Sequence, residues 1–172
     1  MDRKRIAAVI SVSLAAVIAG VLTFSLATAS DPVSVVRGNY EMRALNFTLE
    51  KTDDVVCKML IRSYDGSAQA VEENGETHFF NDVGCLVTWL LQQPRGKKII
   101  PWVYTLDTRR WIDARLAWYG TSDTTVVGYG FGAREKKRPG TVSFDEVKRR
   151  VRTHRTLLDP ATRKMILENR YR

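Results

Sequence analysis

The chain has 172 residues, of which 44% are hydrophobic, so its length and composition allow one domain with a buried core. Two cysteines are too few for a disulfide framework, and the excess of Lys and Arg that gives a net charge of +8 lies in the segment 134–172. The sequence has no nucleophile elbow, no H-E-x-x-H and no C-x-x-C, so we expect that the protein is not an enzyme.

The N-terminal segment has a long stretch without charge. Residues 6–28 carry no charged side chain and follow three basic residues at positions 3–5. A helix of that length covers about 34 Å, which exceeds the ~30 Å hydrocarbon core of a membrane. We therefore predict that residues 1–30 form a transmembrane helix that anchors the protein on the periplasmic or extracellular face. A signal peptide cleaved after the Ala-Thr-Ala at 27–29 is the alternative, and it also exports the domain.

A pair of sulfur-containing residues gives the first chemical indication. The segment 55–63 is rich in β-branched and apolar residues, which predicts a strand. Because side chains alternate along a strand, Cys57 and Met59 would lie on one face. Thiolate and thioether are soft ligands that suit Cu(I). His78, on the second strand of a hairpin over 68–80, is a candidate third ligand, and Met42 is another soft candidate.

Other interpretations of these residues stay open. Cys57 and Met59 are common core residues, and His78 could be a surface histidine without a ligand role. In an oxidising compartment Cys57 could form a disulfide with Cys85, or both could share a metal. Cys85 could equally be a small buried side chain.

The middle of the chain predicts an α+β fold, because a strand, a hairpin, a helix and a strand are followed by a second, strand-rich portion. Asn74-Gly75 is typical of the tight turn of a hairpin, and Asn81 or Asp82 can cap a following helix. The further elements expected before the tail are a helix to about residue 93, a strand over 99–105, extended segments over 111–114 and 116–119, and a glycine-rich strand over 125–134. Residues 31–142 would form the domain.

The last part of the chain, 143–172, is predicted to be a basic helical tail. Ser143 and Glu146 form a capping box that opens a helix to about residue 155, and a final helix covers 160–169. On an exported protein, such a tail would meet an anionic membrane or an acidic protein surface, and nucleic acid is disfavoured by compartment. A solvated basic helix without a specific partner is the alternative.

An ordered set of short motifs runs from residue 57 to residue 147. The motifs are Cys57-Lys58-Met59, Ala68-Gln69, Phe80-Asn81-Asp82-Val83-Gly84-Cys85, Trp111-Ile112-Asp113-Ala114, Trp118-Tyr119 and Gly128-Tyr129-Gly130-Phe131-Gly132-Ala133. In this order they resemble the NosL family, accessory proteins of nitrous oxide reductase assembly.

The resemblance implies a fold and a function. The fold would consist of two related ββαβ-like units. The C-terminal one of these units would be truncated, because the charged segment 134–140 stands where the family has a helix. The function implied is that of a periplasmic metallochaperone that binds Cu(I) through Cys57 and Met59 and delivers it to a client copper enzyme such as nitrous oxide reductase.

Two other classes of protein compete with this interpretation. A metal-free scaffold or interaction subunit of a membrane complex would use its tryptophan and tyrosine residues as a binding surface. A thiol enzyme would need Cys57 and Cys85 within reach of each other. Binding of Cu(I) is the observation that separates the chaperone from both.

Overall fold

The computed structural model describes residues 3–28 and 31–168, which fall into two compact units divided at Asp31. In the first unit, helix α1 covers Arg3–Thr28. Among the described residues, no helix is long and apolar enough to cross a membrane, so the predicted transmembrane helix is wrong.

The second unit contains a five-stranded antiparallel sheet with the order β1-β3-β2-β4-β5. Its strands are β1 (Val35–Val36), β2 (Ala68–Glu72), β3 (Thr77–Phe80), β4 (Ile99–Tyr104) and β5 (Trp111–Asp113). Helix α2 (Val83–Leu90) connects β3 to β4, so β2-β3-α2-β4 has the ββαβ order that the resemblance implied. The hairpin is confirmed: Ala70 pairs with His78, and Gly75 adopts a φ of +83° in the turn.

A smaller sheet follows in the same unit, with the order β7-β6-β8. It contains β6 (Trp118–Tyr119), β7 (Ala133–Arg134) and β8 (Val142–Ser143), and all pairs are antiparallel. Helix α3 (Phe144–Arg152) comes after the three strands, and α4 (Pro160–Leu167) follows it. The second ββαβ-like unit is therefore replaced by a βββα order. Within the described residues the fold is α+β, with four α-helices and two antiparallel sheets.

The glycine-rich segment is mostly a loop, which corrects the strand predicted over 125–134. Gly128 and Gly130 adopt φ values of +95° and +88°, which a strand does not accommodate. Tyr129 between them packs its ring over Gly84, where an added Cβ would lie 1.9 Å from the ring. The motif that contains Gly84 and the motif that contains Tyr129 are thus in contact. Only glycine fits at position 84, because any side chain there would overlap the ring of Tyr129.

Within the second unit, one core joins α2 and α3 to both sheets. Helix α2 contributes Val83, Leu86 and Val87, all fully buried. They share a cluster with Tyr119 and Phe131 from the region of the smaller sheet. Because burial of each large apolar side chain stabilises the fold by about 1.5–3 kcal/mol, this shared cluster fixes α2 firmly in place. The first turn of α2 carries Cys85, so the position of that thiol is set by the core.

The segment 55–63 is not a strand, which corrects the basis on which the two sulfurs were placed on one face. Residues 55–57 form a turn, and Lys58 has a φ of 61°. The carboxylate of Asp54 accepts hydrogen bonds from the backbone N–H groups of Val56, at 2.7 Å, and Cys57, at 3.1 Å. A carboxylate that captures these donors favours a turn over the ladder of a sheet.

Candidate metal site

Two local structures position the cysteines. Cys57 closes the turn that begins at Asp54 and is half-buried. Cys85 lies in the first turn of α2 and is 1% exposed. Asp82 caps this helix, because its side chain accepts a hydrogen bond of 2.9 Å from the N–H of Gly84. Both thiols are free.

Asp54 connects the two structures. Its carboxylate is fully buried, and its second oxygen accepts a 2.7 Å hydrogen bond from the N–H of Asn81, immediately before the cap of α2. The turn is thereby tied to the start of the helix. As a result, the Sγ atoms of Cys57 and Cys85 and a carboxylate oxygen of Asp54 all lie within 4.8 Å of one another. These three residues form a group that could hold a metal ion.

The electrostatics keep both thiols protonated when no cation is present. Burial raises the pKa of Cys57, an effect partly offset by a hydrogen bond from the backbone N–H of Met59. Burial also raises the pKa of Cys85, and the negative charge of Asp54 raises it further. A thiol with a raised pKa is a poor nucleophile at neutral pH, whereas a bound metal can displace its proton.

The geometry suits an ion held between two sulfur atoms. Two metal–sulfur bonds of about 2.3 Å each span at most about 4.6 Å, and the Sγ atoms of Cys57 and Cys85 lie within 4.8 Å of each other. Both oxygens of Asp54 are already engaged by backbone N–H groups, so we assign this carboxylate to positioning of the turn. A pair of thiolates is a soft ligand set.

Met59 lies at the surface beside this group. Its side chain is 40% exposed, and it lines a pocket of about 350 Å³ together with Leu60, Arg62, Ser63, Asn81 and Val126. Its backbone carbonyl accepts a hydrogen bond of 3.0 Å from the N–H of Asp54, which closes the turn. The side chain of Met59 is therefore accessible from solvent.

His78 belongs to a different group of side chains. One ring nitrogen, Nε2, lies 3.0 Å from an oxygen of Glu72, and the ring stacks on Trp89 with centroids 4.6 Å apart. His78, Glu72 and Glu76 place ligand atoms within 4.8 Å of one another and form a second group that could hold a metal. The structure thus separates His78 from the cysteine group, and it also excludes a surface histidine because His78 is 9% exposed.

Sequence reasoning missed Asp54 and left open whether Cys85 lies near Cys57. The signal for Asp54 was present, since an Asp three residues before a Cys can form a turn closed by its own carboxylate. Nothing within a few residues of Cys85 indicated Cys57 as a neighbour. Their proximity depends on the hydrogen bond between Asp54 and Asn81.

Comparison of the chain with protein-family models and with curated proteins finds no match. The resemblance to the NosL family therefore stays a prediction from the motifs.

Proposed function

We propose that this protein is a Cu(I)-binding accessory protein that works outside the cytoplasm and delivers copper to a client copper enzyme such as nitrous oxide reductase. The observation that carries the proposal is the approach of the Cys57 and Cys85 sulfurs to within 4.8 Å of each other, with the exposed side chain of Met59 two residues after Cys57. Soft sulfur ligands favour Cu(I) over Mg²⁺ or Ca²⁺. The motifs that resemble the NosL family support the same class.

Transfer of copper to a client requires a site that the client can reach and a metal ion whose coordination is incomplete. Cys85 is buried, while Cys57 is half-buried and Met59 is exposed, so the ligands form a gradient from the core to solvent. An ion bound by two thiolates leaves coordination positions for an incoming ligand from the client. The basic tail over 143–172 would dock on an acidic client surface or an anionic membrane surface.

The raised pKa values of both thiols argue against the thiol enzyme. A catalytic cysteine needs a substantial thiolate fraction. No cation is among the groups that shift the pKa of Cys57 or of Cys85, so nothing lowers either pKa enough to provide that fraction. The raised pKa values do not prevent a metal from binding the two thiols, because coordination displaces the thiol protons.

The test is an anaerobic titration of Cu(I) into the reduced full-length chain, in competition with a chromophoric Cu(I) chelator. We expect one tight site, and at least a hundredfold loss of affinity in Cys57→Ala and in Cys85→Ala. Circular dichroism of each variant checks that the fold is retained. Unchanged Cu(I) affinity in both variants would refute the proposal and leave a metal-free interaction protein.

A further inference from the structure

A second cluster of ligand atoms lies at the turn end of the β2–β3 hairpin. Glu72 is the last residue of β2, and Glu76 immediately precedes β3, which carries His78. Glu72 and His78 are 2% and 9% exposed, whereas Glu76 is at intermediate burial. The imidazole and the two carboxylates each offer one atom, and these atoms all lie within 4.8 Å of one another.

One polar atom of this cluster, Nδ1 of His78, is buried without a hydrogen-bond partner. Buried polar atoms in proteins are nearly always hydrogen-bonded, so this unpaired nitrogen of a buried imidazole requires an explanation. The ammonium of Lys97 lies 2.5 Å from Oε2 of Glu72 as an ion pair, and the guanidinium of Arg37 pairs with Glu76 at 3.0 Å. The cluster therefore attracts cations.

We propose that Glu72, Glu76 and His78 form a Zn²⁺ site that is separate from the cysteine group. One imidazole nitrogen and two carboxylate oxygens are ligands that Zn²⁺ accepts, and water would complete a tetrahedral shell. The same donors are too hard to select Cu(I), so the two sites differ in the metal that they prefer.

Lys97 is the internal competitor of the metal in this proposal. Its ammonium neutralises Glu72 in the absence of Zn²⁺, and its side chain is one-third exposed, so it can turn to solvent when the metal binds. Burial lowers the pKa of His78, which leaves the imidazole neutral and able to coordinate at neutral pH.

Nuclear magnetic resonance of the imidazole nitrogens tests the site in the full-length wild-type chain. The chain has two histidines, and His154 lies in the turn that follows α3, so it serves as an internal control. Titration with Zn²⁺ should shift the ring nitrogens of His78 and leave those of His154 unchanged. Because the signal is specific to His78, Zn²⁺ bound by the cysteines does not produce it.

Substitutions then identify the ligands and the competitor. Glu76→Gln should weaken Zn²⁺ binding at His78 at least tenfold, whereas Lys97→Met should strengthen it about tenfold. Glu41→Gln, an exposed acid outside the cluster, should leave the affinity unchanged. Ring nitrogens of His78 that do not respond to excess Zn²⁺ in the wild-type chain would overturn the proposal, and that result would not affect the Cu(I) proposal.

Discussion

At the scale of single residues, Asp54 determines the geometry of the cysteine group. One buried carboxylate accepts three backbone hydrogen bonds, two within its own turn and one from Asn81. The turn therefore replaces the strand that the composition of 55–63 predicted, and the Cys57 sulfur is aimed at Cys85. A buried carboxylate whose hydrogen bonds are complete is stable because each donor offsets part of its desolvation.

We expect Asp54→Asn to lower the free energy of unfolding by about 1–3 kcal/mol. In the wild type, backbone N–H groups donate hydrogen bonds to both carboxylate oxygens. The amide of asparagine has an NH₂ group in place of one of these oxygens, so at least one buried backbone donor loses its acceptor. Urea denaturation measures the change, and the loosened turn should also weaken Cu(I) binding. Asp65→Asn is the matched control, because Asp65 is exposed and its ion pair with Arg109 is long, at 3.9 Å. Equal loss in both variants would contradict the role of Asp54.

Met59 allows another test at this scale. Met59→Leu keeps the size and apolarity of the side chain but removes the sulfur, so Cu(I) affinity should fall about tenfold if the thioether binds the ion. Met165→Leu is the control, since Met165 is 38% exposed against 40% for Met59. The measurement is the same chelator competition. If Met59→Leu and Met165→Leu bind Cu(I) equally, the two cysteines alone form the site.

At the scale of elements, helix α3 shows how much local sequence specifies. Ser143 caps it by accepting a hydrogen bond from the N–H of Glu146, as the capping box predicted. The carboxylate of Glu146 binds the guanidinium groups of Arg149 and Arg150, each through a contact of 2.6–2.7 Å. Residues three and four positions apart on one helix face make these pairs, so the helix contains its own stabilising charges.

The stability of α3 should depend on pH through Glu146. The hydrogen bonds from Arg149 lower the pKa of Glu146 to about 2, below its usual 4.5. A depressed carboxyl pKa contributes stability that is fully present above pH 4.5 and is lost as the pH falls toward 2. Glu146→Gln should therefore cost about 0.5 kcal/mol at pH 7, a value kept small by solvent screening, and nothing near pH 2.

Denaturation of wild type and Glu146→Gln across this pH range measures the difference, with Glu41→Gln as the exposed control. A gap between wild type and Glu146→Gln that stays constant down to pH 2 would contradict the assignment of the pKa shift to Glu146.

At the scale of the whole domain, one core connects the two sheets of the second unit. Leu86 on α2 and Val147 on α3 are both fully buried in the same cluster. The hydroxyl of Tyr119, from the smaller sheet, donates a 2.7 Å hydrogen bond to the carbonyl of Ala114, which lies just after β5 of the larger sheet. Because this cluster contains side chains from both sheets, we expect residues 31–168 to unfold together.

Leu86→Ala tests this cooperativity. Truncation of this fully buried leucine to alanine should lower the free energy of unfolding by about 3 kcal/mol, because burial of the removed atoms is lost and a cavity is left behind. Amide hydrogen exchange should then show the same loss of protection in β2 and in β6, although Leu86 lies on α2. Loss of protection confined to the larger sheet would mean that the two sheets unfold separately.

The sequence by itself determined the elements that depend on neighbours a few residues apart. These are the β2–β3 hairpin around Asn74-Gly75, the cap of α2 at Asp82, the cap of α3 at Ser143 and the final helix. It also predicted Cys57 as a metal ligand, and the structure places this residue in a group that could hold a metal ion. Caps, tight turns and periodicity are encoded within about four residues, so they can be inferred from a linear pattern.

Tertiary structure decided which side chains meet. Cys57 reaches Cys85 because the buried carboxylate of Asp54 ties a turn to the start of a distant helix, and His78 joins Glu72 because the hairpin pairs their strands. The physical reason is that such contacts depend on the register of the sheet and on the satisfaction of buried polar groups, both of which involve residues far apart in the chain.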